Sequence, residues 1–254
     1  MTTVRQLPIL KGMSALGEPV RAPCELPQEA VERILWLRRP LLPWFARYGR
    51  SFPWREPGRT PYEVVVAEIL LQRTTAAGVA LAYSGFVERY PSWVALAQAP
   101  LNGLENALRP LGLWRQKAQA FHHLAQLIGE CGGVLPRTRT ELERLPGIGP
   151  YTASAVLAVV YGRAEPLLDV NMARLLGRFL GSSVSAEARP RRPLHALALR
   201  LVRSKRSLEV NWAALDFGAL VCRARRPLCP ECPLRTRCEY ARRQLQPTSS
   251  AGAP

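Results

Sequence analysis

Residues 222–238 read CRARRPLCPECPLRTRC, and this stretch decides the fold more than any other part of the chain. Its cysteines, Cys222, Cys229, Cys232 and Cys238, have the spacing C-x6-C-x2-C-x5-C. Four converging thiolates suit either an iron–sulfur cluster or a tetrahedral zinc ion. Structural zinc sites usually show two well-separated ligand pairs, whereas here one close pair lies between two single cysteines. The spacing therefore favours a [4Fe–4S] cluster over zinc, and either of these over disulfides.

The charge of the chain points to a polyanionic partner. The 254 residues carry a formal net charge of +16, and lysine occurs only at Lys11, Lys117 and Lys205. Arginine forks suit phosphate oxygens, so nucleic acid is the first candidate partner. No apolar run approaches the length of a membrane span. We therefore expect a soluble, cytoplasmic protein that does not interact with membranes.

The apolar residues recur with helical spacing almost throughout, which predicts an all-α fold. Thr60-Pro61-Tyr62-Glu63 forms a capping box that opens a helix, and Thr138 to Glu141 forms a second that opens a short helix ending at Leu145. A surface loop is predicted over 183–193. Other helices are predicted over 28–38, 40–48, 75–89, 93–98, 101–108, 114–130, 151–161, 170–181 and 194–204.

Residues 145–153 read LPGIGPYTA and predict a tight turn between two helices. Glycines at 147 and 149 allow positive φ and close backbone approach, and N–H groups at the next helix start can bind a phosphate. Alone, such a turn is equally an ordinary helix connection. Together with the charge and the cysteines, it predicts a helix-hairpin-helix that binds DNA.

The order and spacing of six motifs resemble the helix-hairpin-helix DNA glycosylases of the endonuclease III and adenine glycosylase superfamily, over roughly residues 28–240. The motifs are Phe52-Pro53-Trp54-Arg55, Ala67-Glu68-Ile69-Leu70-Leu71-Gln72-Arg73-Thr74, the hairpin at 145–153, Leu168-Asp169-Val170-Asn171, Asp216-Phe217-Gly218 and the four cysteines.

The resemblance implies two helical lobes with the active-site cleft between them. One lobe is a six-helix barrel over 50–162 that includes the hairpin. The other combines 26–49 with 163–240 and holds the structural cluster, which supports a basic loop at Arg223, Arg225 and Arg226. Residues 1–25 and 241–254 are predicted to be mobile tails.

The resemblance also assigns catalytic residues. Asp169 matches the catalytic aspartate, whose carboxylate can stabilise an oxocarbenium-like sugar, although aspartate at a helix start is also a common N-cap. Glu68, which sequence alone would place facing solvent, is placed in the pocket, where burial raises its pKa and lets it protonate the departing base.

Tyr151 decides the expected reaction type. Bifunctional members carry a lysine immediately after the hairpin that attacks the sugar and then cleaves the strand. Tyrosine stands there in this chain, and we place none of its three lysines near an active-site motif. We therefore expect a monofunctional glycosylase, with Tyr151 stacking against the flipped base.

Residues expected to contact DNA follow from the same motifs. Gln72 is a candidate to fill the gap left by the flipped base. The full predicted set is Gln72, Arg73, Gly147, Ile148, Gly149, Thr152 and Asn171. Further phosphate contacts are expected from Arg115, Lys117, Arg189, Arg191 and Arg192. The expected partner is double-stranded DNA with a mismatched or damaged base, bound by a nucleoid-associated monomer.

Residues 71–76, Leu-Gln-Arg-Thr-Thr-Ala, look more like the thymine-DNA mismatch glycosylases, which remove T or U opposite G, than like adenine glycosylases. Adenine enzymes usually have Gln-Gln-Thr after the glutamate helix and add a C-terminal 8-oxoguanine-recognition domain, which we expect this protein to lack. Removal of adenine opposite G or 8-oxoguanine is the alternative function. A further alternative is a cluster-bearing DNA-binding protein without catalysis.

Overall fold

The computed structural model describes residues 26–181 and 192–245. Within these two ranges there are helices and no strand, so the predicted all-α class is confirmed. None of the helices in this part of the chain is long and apolar enough to cross a membrane. The helices are α1 (Gln28–Trp36), α2 (Arg38–Tyr48), α3 (Pro61–Leu71), α4 (Ala76–Arg89), α5 (Trp93–Gln98), α6 (Leu101–Leu108), α7 (Trp114–Glu130), α8 (Arg139–Leu142), α9 (Pro150–Ala155), α10 (Val170–Leu180), α11 (Arg192–Val202), α12 (Ser207–Leu220) and α13 (Glu239–Leu245).

The described residues form two compact units. The first contains residues 51–163 with α3 to α9, and the second contains residues 26–50 and 164–245 with the remaining helices. The predicted N-terminal tail and most of the predicted loop at 183–193, including Arg189 and Arg191, lie outside the described residues. Residues from 192 onward already belong to α11.

The central helix of the first unit is α3. Thr60 accepts a hydrogen bond from the Glu63 N–H, and the Glu63 side chain accepts one from the Thr60 N–H, so the predicted capping box is present. Apolar side chains occupy nearly the whole circumference of this helix, which suits a buried position. Val65, Val66 and Ile69 are completely buried in the core of this unit.

The helix that follows the hairpin is not uniform. The sequence predicts one helix over 151–161, whereas α9 changes at Ala155 into a π-helical turn over Val156–Val160. A π-turn differs from an α-turn in which backbone carbonyl each N–H pairs with, and no residue type marks that choice, so the sequence does not reveal it. The preceding α8 ends at Leu142, three residues before the predicted end, although Thr138 caps it as expected.

The second unit is held by aromatic pairs and one buried ion pair. Trp36 stacks on Phe179 with ring centres 6.0 Å apart, and Trp44 meets Phe217 edge-on at 4.9 Å. Asp216 is completely buried and accepts hydrogen bonds from the Arg50 guanidinium and the Arg50 N–H. Removing one partner of such a pair leaves the other charge buried and unpaired, which strongly destabilises the fold. Asp216 therefore has a structural role.

The C-terminal end differs from the expectation of a tail from residue 241 onward. Helix α13 continues to Leu245, with Ala241 buried. Glu239 at the start of α13 lies 3.1 Å from Arg33 of α1. The buried alanine and this ion pair hold residues 241–245 in the second unit, and residues 246–254 lie outside the described ranges.

Candidate active site

Glu68 lies in the middle of α3, and its carboxyl group points into the protein. The residue keeps some exposed surface, but its Oε2 atom is buried and has no hydrogen-bond partner among the described residues. Burial raises the pKa of Glu68 to about 7, against the opposing effect of the nearby Arg55 charge. The carboxyl is therefore about half protonated at neutral pH, unlike the solvent-facing glutamate that local sequence alone indicates.

This raised pKa predicts a stability change in Glu68→Gln. The folded state binds the Glu68 proton more tightly than the unfolded chain, so the free energy of unfolding falls as pH rises from 4.5 to about 7. The loss is roughly 3 kcal/mol at about 1.4 kcal/mol per pH unit. Glutamine has no such loss, so we expect Glu68→Gln to be more stable than wild type by up to that amount above neutral pH.

Urea unfolding at several pH values measures this gap, which should close below pH 4.5, where glutamate is protonated in both states. Glu88→Gln, at an exposed site on α4, is the matched control and should show no such gap. A gap that is constant with pH would contradict the buried, titrating carboxyl.

The turn after α3 brings predicted DNA-contacting residues against the hairpin. The Gln72 Nε2 donates a hydrogen bond of 2.8 Å to the Gly147 carbonyl oxygen. Arg73 has a φ of 52°, in the left-handed region that non-glycine residues rarely adopt. The Gln72 hydrogen bond therefore joins the turn that carries Arg73 to Gly147 of the hairpin, which agrees with their shared assignment to DNA binding.

Lys117 corrects two expectations from the sequence. It is only 2% exposed, so it is not an outward-facing phosphate contact. Its Nζ donates to the Leu70 carbonyl oxygen at 2.8 Å and to Thr74 Oγ1 at 2.6 Å, so a lysine does lie beside an active-site motif. Sequence spacing could not show this, because Lys117 is more than forty residues from that motif.

The hairpin residues differ in what they offer to a ligand. Gly147 has a φ of 75°, but Gly149 has a φ of −91° and is the N-cap of α9, so only Gly147 uses the positive φ expected of both. Ile148 and Thr152 are each 3% exposed. Their side chains are unavailable to DNA, contrary to a side-chain role, and only their backbone can contribute. Tyr151 is 37% exposed at the second position of α9.

The two hairpin glycines give a matched pair of predictions. In Gly147→Ala the new Cβ would lie 3.0 Å from the Ala120 Cβ at a positive φ, so the free energy of unfolding should fall by about 1–2 kcal/mol. A Cβ at Gly149 meets nothing within 4 Å and its φ suits any residue. Gly149→Ala should therefore unfold like wild type in urea. It should bind duplex DNA more weakly in fluorescence anisotropy, because its methyl group occupies the open space beside the backbone where a phosphate would approach. Equal stability of the two variants would contradict this assignment.

Asp169 is both an N-cap and a buried carboxylate. It starts α10, and its Oδ1 accepts hydrogen bonds of 2.8 Å from the N–H groups of Asn171 and Met172. Burial raises the pKa of Asp169, although these hydrogen bonds and the Arg174 charge oppose the shift. The N-cap geometry expected as the alternative to catalysis is thus present, and it fixes the orientation of the carboxylate.

Asn171 completes a polar network around Asp169. Its Nδ2 donates to Asp169 Oδ2 at 2.6 Å, and its Oδ1 accepts from Arg174 at 2.8 Å. A Cβ added to Gly218 of α12 would lie 2.7 Å from the Asn171 carbonyl oxygen, so this glycine allows the two helices to approach closely. The network supports Asn171 as an orienting partner of Asp169, beside the predicted contact with DNA.

The four cysteines of residues 222–238 line one cavity of the second unit. The cavity is otherwise lined by apolar and aromatic side chains together with Arg178, and no carboxylate or imidazole is among its lining residues. In the described part of the chain, no three His, Cys, Asp or Glu side chains stand close enough to hold a metal ion as they are placed. Burial raises the pKa of Cys232 to about 11. The soft, all-sulfur donor set nevertheless fits an iron–sulfur cluster by its chemistry.

Arg178 organises the basic loop between the first two cysteines. Its guanidinium donates to the carbonyl oxygens of Arg223 and Ala224 at 2.7 and 3.0 Å, and it lies 3.7 Å from the Cys222 sulfur. Its guanidinium also stacks over Tyr240 at 4.5 Å. The sequence did not indicate Arg178, because the hydrogen bonds that it makes with the loop go to carbonyl oxygens, which leave no sequence signal.

Comparison with known proteins places this fold and these motifs. Residues 66–192 match the family described as HhH-GPD superfamily base excision DNA repair protein. A thymine-DNA glycosylase of Aeropyrum pernix is 41% identical over 82% of this chain and 95% of its own length. The human adenine DNA glycosylase is 33% identical over 85% of this chain and 41% of its own length.

Solved structures agree with these sequence relatives. The structure of a thermostable thymine-DNA glycosylase superposes with a TM-score of 0.77 at 30% identity, covering 84% of this chain and 98% of that one. The family match, the identity over most of both chains and the shared fold confirm the resemblance read from the motifs. This chain belongs to the HhH-GPD superfamily of base excision DNA repair proteins.

Proposed function

We propose that this protein is a monofunctional DNA glycosylase that removes thymine or uracil opposite guanine from double-stranded DNA. The observation that carries the proposal is the buried, unpartnered Oε2 of Glu68 with a pKa near 7. A carboxyl in this state can donate a proton to a departing base at neutral pH. The Aeropyrum pernix relative, a thymine-DNA glycosylase matched over 95% of its length, supports the choice of base.

The reaction assigns a separate task to each carboxyl group. The bond between the base nitrogen and sugar C1′ breaks, and the electron pair leaves with the base, which accepts a proton or hydrogen bond from Glu68. Asp169 in its ionised form stabilises the positive charge that develops on the sugar. Water then adds to C1′, and its proton returns to a carboxylate, which leaves an abasic site in an intact strand.

Tyr151 supports the monofunctional reaction. A bifunctional enzyme needs an amine that can reach the sugar, and the position after the hairpin holds the exposed phenol of Tyr151 instead. Lys117, although close to Leu70, is buried and engaged by two acceptors. Its amine therefore has no access to a sugar, and strand cleavage is left to another enzyme.

DNA binding is proposed for the turn after α3 and for the hairpin. Backbone N–H groups in the first turn of a helix have no acceptor within the helix, and open space beside Gly149 lets a phosphate approach that backbone. The net charge of +16 supplies the long-range attraction, so binding should weaken steeply with salt. The monomeric state and the nucleoid-associated location stay predictions.

We further propose that Cys222, Cys229, Cys232 and Cys238 hold a [4Fe–4S] cluster. When bound, the cluster would act as a structural cross-link and supply no step of the reaction. Arg178 would then hold the loop with Arg223, Arg225 and Arg226 in one conformation beside it. Iron and sulfide content of the purified protein tests the assignment, and tightly bound zinc in place of iron would contradict it.

Two other functions compete with this one. Removal of adenine is the second candidate, because the human adenine DNA glycosylase is among the relatives. A binding protein without catalysis is disfavoured, because a buried carboxyl without a hydrogen-bond partner costs stability and serves no purpose in binding a phosphate backbone.

The deciding experiment is single-turnover base release from duplexes that contain G·T, G·U, A·G and A·8-oxoguanine pairs, each sampled with and without alkali. Cleavage of the T or U strand only after alkali is the expected result. Release of adenine would select the second candidate. Strand cleavage without alkali would contradict the monofunctional reaction, and no release from any duplex by protein with an intact cluster would favour the binding protein.

A further inference from the structure

Lys117 connects the first turn of α7 to the end of α3, the helix that contains Glu68. Its backbone N–H donates to the Leu113 carbonyl oxygen at 2.9 Å, so the residue belongs to the start of α7. Its Nζ donates a hydrogen bond to the carbonyl oxygen of Leu70 in the last turn of α3. Carbonyl groups in the last turn of a helix have no N–H partner within the helix. A cation there also interacts favourably with the negative end of the helix dipole.

The second bond of Lys117 continues into the turn that carries the predicted DNA contacts. The Nζ donates to Thr74 Oγ1 at 2.6 Å, and this hydroxyl in turn donates to the Gln72 carbonyl oxygen at 3.3 Å. Two hydrogen bonds therefore connect the buried ammonium to the backbone of Gln72. The relay consists of Lys117, Thr74 and Gln72, and we call it the lysine relay.

Two other contacts constrain the same turn, and one of its residues has a strained backbone. The Gln72 side chain is bonded to the Gly147 carbonyl oxygen of the hairpin. Arg73 is in the left-handed conformation, and a Cβ at Gly112 would lie 3.2 Å from its carbonyl oxygen. A strained residue persists only where its surroundings over-determine it, and such residues cluster at ligand-binding sites. The turn is thus preorganised rather than free.

We propose that Lys117 is a positioning residue, which sets the Gln72–Arg73 turn in the conformation that enters the DNA helix when the target base is flipped out. The inference rests on the proposed function, since it gives the turn a role in DNA. A buried ammonium is costly compared with an apolar side chain of the same size. The lysine relay gives that charge a use that packing alone would not require.

The test compares Lys117→Met with Lys205→Met, the same substitution at an exposed lysine. On a G·T duplex, Lys117→Met should release thymine about 10- to 100-fold more slowly than wild type, since misplacement by about an ångström has effects of this size. On a duplex in which thymine faces an abasic site, the defect should shrink to about threefold, because little pairing opposes extrusion. Lys205→Met should match wild type on both.

A second pair of variants tests the hydroxyl of the relay. Thr74→Val keeps the shape and loses the hydrogen bonds, so it should show the same substrate-dependent defect, whereas Thr74→Ser should retain most of the activity. The double variant Lys117→Met with Thr74→Val should be no slower than Lys117→Met alone, because both break one relay. Additive losses would contradict the relay.

A binding measurement separates this inference from the proposed function. The fluorescence of 2-aminopurine placed beside a non-cleavable target nucleotide reports unstacking without any base release. Wild type should raise it on binding, and Lys117→Met should not, at saturating protein. If the wild-type protein releases no base, the proposed function is wrong, and this result alone does not contradict the positioning role. The positioning role would be overturned by equal fluorescence in both proteins, or by a Lys117→Met defect of equal size on the two duplexes with lowered thermal stability.

Discussion

Asp169→Asn is expected to lower the single-turnover rate of base release by about 10³-fold or more, the loss typical of removing a charge that stabilises the transition state. Asparagine has nearly the same shape but cannot neutralise the developing oxocarbenium charge or capture it covalently. Binding of the duplex should be unchanged or tighter, because one negative charge is removed near phosphate. Anisotropy on the same G·T duplex measures the affinity, and unchanged base release would overturn the catalytic assignment.

The N-cap role of Asp169 makes the choice of variant important. Asparagine caps helices about as well as aspartate, so its Oδ1 can keep the hydrogen bonds from Asn171 and Met172. Asp169→Ala loses the cap as well and should cost about 1 kcal/mol more in the free energy of unfolding. Comparable stability of wild type and Asp169→Asn, with activity lost in both variants, would separate catalysis from capping.

Local signals predicted much of the fold. The start of α3 follows from the Thr60 capping box, and the apolar spacing gives most helix positions to within a few residues. The cysteine spacing also indicated residues that line one cavity. These features depend on residues close together in sequence, where hydrogen-bond chemistry and side-chain periodicity act directly.

Long-range contacts set the features that could not be predicted. Lys117 pairs with residues more than forty positions away, and Arg50 is 166 positions from Asp216. A basic residue in a basic chain is expected at the surface, and nothing local marks the exceptions. The burial of Ile148 and Thr152 likewise depends on how the hairpin packs in its unit, which the hairpin sequence does not contain.

At Glu68 the local sequence and the long-range packing act together. Its charge in the local sequence predicts a carboxyl that faces solvent, whereas packing in the folded unit turns the carboxyl inward. The burial of Oε2 without a partner, a costly arrangement, indicates a functional role, because stability alone would select against it. Replacing the Glu68 carboxyl is therefore expected to raise the free energy of unfolding and to lower the rate of base release.

Glu68→Gln is expected to release the base about 10²- to 10⁴-fold more slowly than wild type, the usual range for loss of a general acid. Glutamine can still donate a hydrogen bond but cannot transfer a proton, so the variant keeps the shape of the pocket and loses the chemistry. Glu88→Gln should be as active as wild type, because that side chain is exposed on α4.

We expect the pH dependence of base release to follow the protonated form of Glu68. With a pKa of about 7, wild-type base release should be half-maximal near that pH and fall about tenfold per pH unit above it. Glu68→Gln should show a slow rate without this alkaline fall. Because the same substitution should raise the free energy of unfolding above neutral pH, a slower and more stable enzyme is the expected outcome. A wild-type rate that rises through pH 7 would instead make Glu68 a base and reverse the order of proton transfers.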